Sequence, residues 1–444
     1  MYPFSGPAEM RGTLQSVRNF FHPILIAVFL VFPWLKIGGL PVILFDIFNR
    51  RFVFFGHTFF SHDAPLLFFV LILTIFLIFT ITAIFGRLWC GWTCPQTVFL
   101  HSVYNRIEQW ILGSYSKRIA FYKSEETLAK RLKILLIYVI FFIVSWIISH
   151  SFVAYFLGSD VVTQYIFDGP ADHMQAFTVL MVMTLLLFLN FTFFRENLCF
   201  YVCPYGRFQN ALIDKNSLTV YYDTVRGEPR GKTTSKNSEV GDCVDCEKCV
   251  RACPTKIDIR NGFQMECIAC GACIDACNDV MTRLKRPKGL IRYETGDQKP
   301  ITLKRFRLGL YGILIAVFTV GFIWVLANRN PIDFTVTRAP AMPFSHREEN
   351  GKRIIQNQLQ FHIKNQTDAP IEIHLQLAED NQKTGYRLAS PALNLKLEVF
   401  QDIKVPAFVE IDEDQYLADR TNIDIRLNKG ETVLSRQIKF IRTQ

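Results

Sequence analysis

Apolar residues along this chain fall first into long unbroken blocks and then into short alternating runs. Five blocks reach the roughly 20-residue length that a bilayer-crossing helix needs. They run from about Pro23 to Leu40, Pro65 to Phe85, Ile134 to Phe152, Phe177 to Phe194 and Leu308 to Ala327. After Asn330 the period changes to that of strands. Leu359 to Ile363, Ile371 to Leu377, Leu393 to Val399, Ile423 to Leu427 and Gln437 to Ile441 are separated by turns such as Asn365-Gln366-Thr367-Asp368. That pattern predicts a β-sandwich, immunoglobulin-like and without a disulfide.

Composition agrees with a membrane protein. The 444 residues allow two to four domains, half are hydrophobic, and 41 are Phe, more than a soluble core of this size needs. A net charge of +10 would permit nucleic-acid binding. Here, however, the basic residues sit beside apolar blocks, where positive-inside topology and anionic lipid explain them, so no nucleic-acid partner is expected. Between the second and third blocks lie Arg87, Arg106, Lys117, Arg118, Lys123, Lys130, Arg131 and Lys133, which places that loop in the cytoplasm. The next loop holds Asp160, Asp168 and Asp172 and no Lys or Arg, as an outer loop would. Arg50 and Arg51 run against this assignment. The first block has no small-residue cleavage site and is expected to stay as an anchor. The expected topology is multi-pass in the inner membrane, with the N-terminus and the fourth-to-fifth connection inside and the region after Ala327 outside.

The chemistry lies in the fourth-to-fifth connection. It reads Cys243-x2-Cys246-x2-Cys249-x3-Cys253-Pro254 and then Cys267-x2-Cys270-x2-Cys273-x3-Cys277. This is the bacterial two-cluster ferredoxin run, in which the fourth cysteine of each run ligates the other cluster. Cys243, Cys246, Cys249 and Cys277 are therefore expected to hold one [4Fe-4S] cluster, and Cys253, Cys267, Cys270 and Cys273 the other. Zinc sites use paired CxxC motifs with a longer spacer, and disulfides do not suit a cytosolic segment. Asn278 stands where the motif has a second proline. Tyr221 and Tyr222 are expected along the membrane, and Arg226 to Val240, with Lys232 and Ser235, as a linker. The basic turn Lys285-Arg286-Pro287-Lys288-Gly289 is expected to be a solvated or lipid-facing edge.

Four more cysteines form a second system. Cys90-x3-Cys94-Pro95 follows the second block and Cys199-x3-Cys203-Pro204 the fourth. Each is preceded by a Phe five residues earlier, Phe85 or Phe194, and followed by one four beyond the proline, Phe99 or Phe208. The match predicts an internal repeat whose two corners could meet, four thiolates facing one another. Such thiolates suit Cu(I), zinc or an iron-sulfur group, and buried structural thiols are the plainer alternative. All twelve cysteines fall on predicted cytoplasmic segments or their membrane edge. His22, His57, His62, His101, His150 and His173 lie near block ends and are expected to be non-ligands, with His101 the first exception because it follows Cys94 by seven residues. His346, His362 and His374 are expected on strands or the surface. Neither a CxxCH haem motif nor a GxGxxG nucleotide fingerprint is present.

Trp89 to Gln96, Tyr201 to Gln209, Cys273 to Cys277 and Gly289-Leu290-Ile291-Arg292-Tyr293 together resemble the FixG/RdxA/CcoG family of membrane polyferredoxins, accessory factors for cbb-type cytochrome oxidase. The resemblance spans the chain. It implies domains at 1–225 (membrane domain with four helices and both corners), 226–306 (cytoplasmic ferredoxin-like domain), 307–329 (fifth transmembrane helix) and 330–444 (periplasmic immunoglobulin-like sandwich). It also implies reduction of Cu(II) to Cu(I) for oxidase assembly, with Cys90, Cys94, Cys199 and Cys203 as the catalytic or copper-binding thiols. The partners implied are oxidase subunits or assembly factors, a copper carrier and an unidentified electron donor. Two other readings stand beside it: a quinol- or ferredoxin-linked electron conduit to another redox partner, and a non-catalytic redox-sensing scaffold.

Overall fold

A computed structural model describes residues 6–47, 51–60, 64–169, 172–231, 241–296, 305–328, 332–339, 344–349, 352–365, 367, 370–399, 401–416, 421–429 and 432–441. Of the residues singled out above, Arg50, His62, Lys232, Ser235, Val240, Asn330, Gln366 and Asp368 lie outside this set. The chain forms two compact units, Met1–Phe322 and Ile323–Gln444.

Five helices of the described residues are long and apolar enough to cross a membrane. They are α1 (Thr13–Val31), α2 (Ala64–Phe85), α3 (Leu128–Leu157), α4 (Met174–Leu189) and α5 (Phe306–Ala327). Their outward faces carry exposed Leu, Ile, Val and Phe, which only a lipid environment tolerates in such numbers. Phe content is partly explained by packing. Phe69 and Phe76 of α2 meet Phe318 of α5, and Phe79 meets Tyr311.

The first span lies further N-terminal than the hydropathy pattern indicates. Helix α1 begins at Thr13, and with a short turn at Phe32–Trp34 the apolar element ends near Trp34. Pro33 opens that turn, and Lys36–Ile37 then pairs antiparallel with Leu40–Pro41 across Gly38-Gly39, both at positive φ, 60° and 83°. A positive-φ pair is what a tight hairpin demands, so the apolar residues after Pro33 become strand. The early turns were hidden by Arg18 and His22, which lower hydropathy but are buried against the protein interior.

The start of α1 is tied to the cysteine-rich region. Gly12 at its N-cap has no side chain to satisfy the first N–H groups. The Asp275 carboxylate does so from elsewhere in the chain, accepting from Gln15 at 2.7 Å and Leu14 at 3.4 Å. A Cβ on residue 12 would lie 2.2 Å from the Asp275 side chain, so glycine is required for this approach.

In the second unit two antiparallel sheets face each other. One has the order 387–389, 402–412, 352–365, 332–338, with 345–349 also paired to 352–365; the other has the order 394–397, 371–377, 422–429, 432–439. Phe361, Ile363, Val409 and Ile411 of the first pack with Ile373, Leu375, Ile423 and Ile425 of the second. His362 and His374 are on strands, as the alternation indicates, hydrogen-bonded to Asp402 and Asn394. The five sequence runs all overlap these strands, although the run from Leu393 to Val399 overshoots Asn394–Leu397 at both ends and the last strand, Thr432–Lys439, starts and stops earlier than the run from Gln437 to Ile441.

Replacing Asp275 with Ala should destabilise the first turn of α1 by about 1 kcal/mol. Hydrogen exchange across residues 12–20 should accelerate in that variant, with Asp275→Asn intermediate.

Candidate metal centres

Cysteine-rich loops close into a small module because two strands bracket them. Leu218–Tyr222 pairs antiparallel with Ile291–Thr295. This corrects the placement of Tyr221 and Tyr222 along the membrane: Tyr222 is buried in the module's core with Leu290 and Ile291. Short helices at Lys248–Ala252 and Ala272–Arg283 carry Cys249 and the Cys273, Cys277 pair. One helical turn apart, Cys273 and Cys277 serve different hollows. Cys243, Cys246, Cys249 and Cys277 line the first, with Tyr222 and Met281. Cys253, Cys267, Cys270 and Cys273 line the second, joined there by Cys249.

The thiols also feel one another. Burial, reinforced by Cys249, Cys243 and Cys246, pushes Cys277 up to about 12. Burial, reinforced by Cys270, Cys267 and Cys253, pushes Cys273 well above the usual thiol range. Metal capture would displace those protons and so strengthen as pH rises. All twelve cysteines are free. Among the described residues no three His, Cys, Asp or Glu side chains stand where they could hold a single ion. Four thiols gathered at each hollow in the ferredoxin spacing fit a polynuclear iron-sulfur group better than zinc.

Asn278 has a structural use: its Oδ1 accepts from the Gly289 N–H at 3.0 Å, pinning the basic turn over the module. That turn is held rather than free. Arg286 donates to the Gly241 and Asp242 carbonyls, and Arg226 to those of Pro287 and Lys288.

The two C-x3-C-P corners are built alike. Cys94 and Cys203 each take an N–H···O bond back five residues, to Trp89 at 3.0 Å and Leu198 at 2.9 Å. Each then caps a helix whose first residue is proline, with ψ near 125° and 111°. The corners meet. The Cys90 thiol donates to Gln209 Oε1 at 3.0 Å, on the helix that follows the other corner. Gln96 and Asn190 form a reciprocal amide pair at 2.8 and 3.2 Å. Burial pushes Cys199 up to about 12, with Cys94, Cys90 and Cys203 adding to it, and Cys90 up to about 11. The Arg87 guanidinium works the other way on Cys90 and donates to the Met265 carbonyl in the cysteine-rich module.

The first corner is docked on the second hollow's loop. Cys90 packs with Ile268, Cys270 and Ala272. Trp92 Nε1 donates to Tyr293 OH at 3.3 Å, and Tyr293 OH donates to the Ala269 carbonyl at 2.7 Å.

Sequence comparison agrees with this division of the chain. Residues 66–113 match a family described as "4Fe-4S binding domain", 194–296 a "4Fe-4S dicluster domain", and 322–443 the "IG-like fold at C-terminal of FixG". Protein RdxA of Cereibacter sphaeroides is 35% identical over 74% of this chain and 73% of its own length. Protein RdxB of the same organism is 34% identical over the same shares. The chain belongs to the FixG/RdxA family. Nitrogen fixation protein FixG of Rhizobium meliloti is 32% identical over 65% of this chain and 56% of its own. Membership makes the chain a membrane iron-sulfur electron-transfer protein with an immunoglobulin-like C-terminal domain.

Several residues that shape this family member's centres were not legible as such. Gln209, Arg87, Asp275 and Tyr293 act on partners more than a hundred residues away or in another element, and no local spacing marks them. Among the histidines, His101 hydrogen-bonds Asn105 at 3.0 Å, His22 bonds Ser102 at 2.6 Å, and His150 bonds the Trp146 carbonyl at 2.8 Å.

Gly91 tests the docking. A Cβ there would lie 2.5 Å from the Ile268 carbonyl oxygen and 2.7 Å from Cys270 Cα, both rigid backbone atoms. Gly91→Ala should lower the thermal midpoint and the iron retained per chain, as overpacking of about 1–3 kcal/mol implies. Gly309→Ala, which meets nothing within 4 Å, should leave both unchanged.

Proposed function

We propose that this protein reduces Cu(II) to Cu(I) at the paired corners and so serves copper-centre maturation of a cbb-type cytochrome oxidase. The observation that carries the reading is the Cys90–Gln209 bond, which joins the corners, set beside the packing of Cys90 on the loop of Cys270. In this reading Cys243, Cys246, Cys249 and Cys277 hold one [4Fe-4S] cluster and Cys253, Cys267, Cys270 and Cys273 the other. Bound there, these groups supply electrons singly, the stoichiometry of the copper step.

The chain's own residues do the rest. Cys90, Cys94, Cys199 and Cys203 take the copper ion as substrate, losing protons on binding, and their soft sulfur donors favour the Cu(I) product. Arg87 offsets the negative charge gathered beside Cys90. Trp92 and Gly91 hold the first corner against the loop, which keeps the two sites side by side. The proposal places the protein in a bacterial inner membrane, the cysteine-rich module (residues 226–306 together with the strand Leu218–Tyr222) in the cytoplasm and residues 330–444 in the periplasm. An unidentified donor feeds electrons in, and a copper carrier takes Cu(I) onward to oxidase subunits or assembly factors.

A second reading is favoured by the iron-sulfur family match over 66–113 and by the absence of any single-ion grouping among the described residues. In it the corner thiols hold a further iron-sulfur group and the protein is a conduit to another redox partner.

One experiment separates them. Anaerobically purified protein is reduced with dithionite, freed of excess and given stoichiometric Cu(II), while visible absorbance, EPR and a Cu(I)-specific chelator are followed. Reoxidation with matching Cu(I), lost when Cys90, Cys94, Cys199 and Cys203 are all Ser while the spectrum persists, is the expected result. Indifference to Cu(II), or loss of iron and part of the spectrum in that variant, would sink the copper reading and favour the conduit.

A further inference from the structure

We infer that the cavity between the start of α1 and the helical segment after the first corner binds an organic anion through its phosphate group. The cavity holds about 350 Å³, within the range of small-ligand sites. Its walls are rich in donors: Arg18 and Arg106, His22, and the amides of Gln15, Asn19 and Gln109.

Two of these side chains are buried, and Arg18 is incompletely bonded. Arg18 is 4% exposed and His22 2%. Among the described residues Arg18 has one hydrogen bond, a long 3.4 Å contact from Nη1 to Gln15 Oε1, and its Nε has none. His22 uses Nδ1 on Ser102, and its ring also faces the Trp92 backbone. Arg106 spends Nη2 on Asn19 Oδ1 at 2.7 Å.

Among the described residues no carboxylate in the lining answers these cations: Glu9 is the one acidic residue there, and it is taken by Arg118 at 2.8 Å and the Tyr115 N–H at 3.1 Å. A guanidinium withdrawn from water without a counter-charge is costly, and a planar fork of donors matches phosphate oxygens two at a time. A phosphate group seated between Arg18 and Arg106 supplies the missing partner. A bare ion would leave most of the space empty, so the ligand carries more than the phosphate.

Two sources share this chemistry: a phospholipid headgroup and a soluble phosphate ester. Phe20 and Phe21 on the same helix are exposed, so lipid can lie beside the entrance. Ala252, Pro254 and Ala272 form part of the lining and are neighbours in sequence of Cys253 and Cys273. A bound anion thus sits against the loops of the second hollow. The binding step does not depend on the copper reading.

The test uses the full chain in nanodiscs of phosphatidylcholine, followed by thermal unfolding. Arms receive inorganic phosphate, glycerol 3-phosphate, or chloride at matched ionic strength, and a separate set of discs contains phosphatidylglycerol. The expected result is a saturable rise of a few degrees in the wild type that is lost in Arg18→Gln and in Arg106→Gln. Arg18→Gln removes an unanswered buried charge and should not itself lower the midpoint. Arg106, nearer the surface, keeps the test open if Arg18→Gln folds poorly. A rise with glycerol 3-phosphate in phosphatidylcholine discs assigns a soluble ester; a rise confined to phosphatidylglycerol discs assigns a headgroup. No rise in any arm, a rise with inorganic phosphate alone, or an equal rise in both variants would overturn the proposal.

Discussion

Backbone contact between residue 91 and the Ile268–Cys270 segment is the constraint on which the rest depends. It is possible because residue 91 has no side chain, and it brings a membrane corner against a loop whose neighbouring thiols ring the second hollow. Once that approach is fixed, the other ties follow in register. Arg87 reaches Met265, Trp92 reaches Tyr293, and Asp275 reaches the first turn of α1. The cysteine-rich module is thereby bolted to the helices by side chains rather than hung from them by a linker. An electron carrier benefits from this rigidity because transfer between sites depends on a fixed separation.

How much of this could be read from residue order varied with the range of the interaction. Spans α2 and α5 were legible almost to the residue because their apolar blocks are unbroken. The first span was displaced because a burying Arg18 and His22 look unlike membrane, whereas the hairpin after Pro33 looks like it. In the sandwich, the strand Asp402–Asp412 alternates cleanly at Ile403, Val405, Ala407, Val409 and Ile411, yet Pro406 in its middle argues locally against a strand. The pairing on either side of it, eleven residues long with 352–365, prevails.

The candidate centres divide in the same way. Spacing alone groups the eight ferredoxin-type cysteines into two fours, since ligand exchange between runs is a local geometric rule, and the structure gathers each four at one hollow with Cys249 lining both. The matched C-x3-C-P corners, with proline at the first position of each following helix, pointed to a repeat whose halves meet. What residue order could not disclose is how they meet. Gln209 is an ordinary amide on a helix until the fold sets it against Cys90, and Tyr222 is an ordinary interfacial aromatic until its strand finds Ile291. Such roles arise from tertiary placement and carry no local signature.

The two corners converge, and bridging their thiols tests whether they do. In the Cys90→Ser, Cys199→Ser double variant only Cys94 and Cys203 remain at the corners. Dibromobimane, which fluoresces when both of its arms have alkylated thiols, should then yield a fluorescent product that peptide mapping assigns to a Cys94–Cys203 bridge. Single alkylation at each cysteine, with no bridged peptide in protein that keeps its iron-sulfur spectrum, would contradict the account.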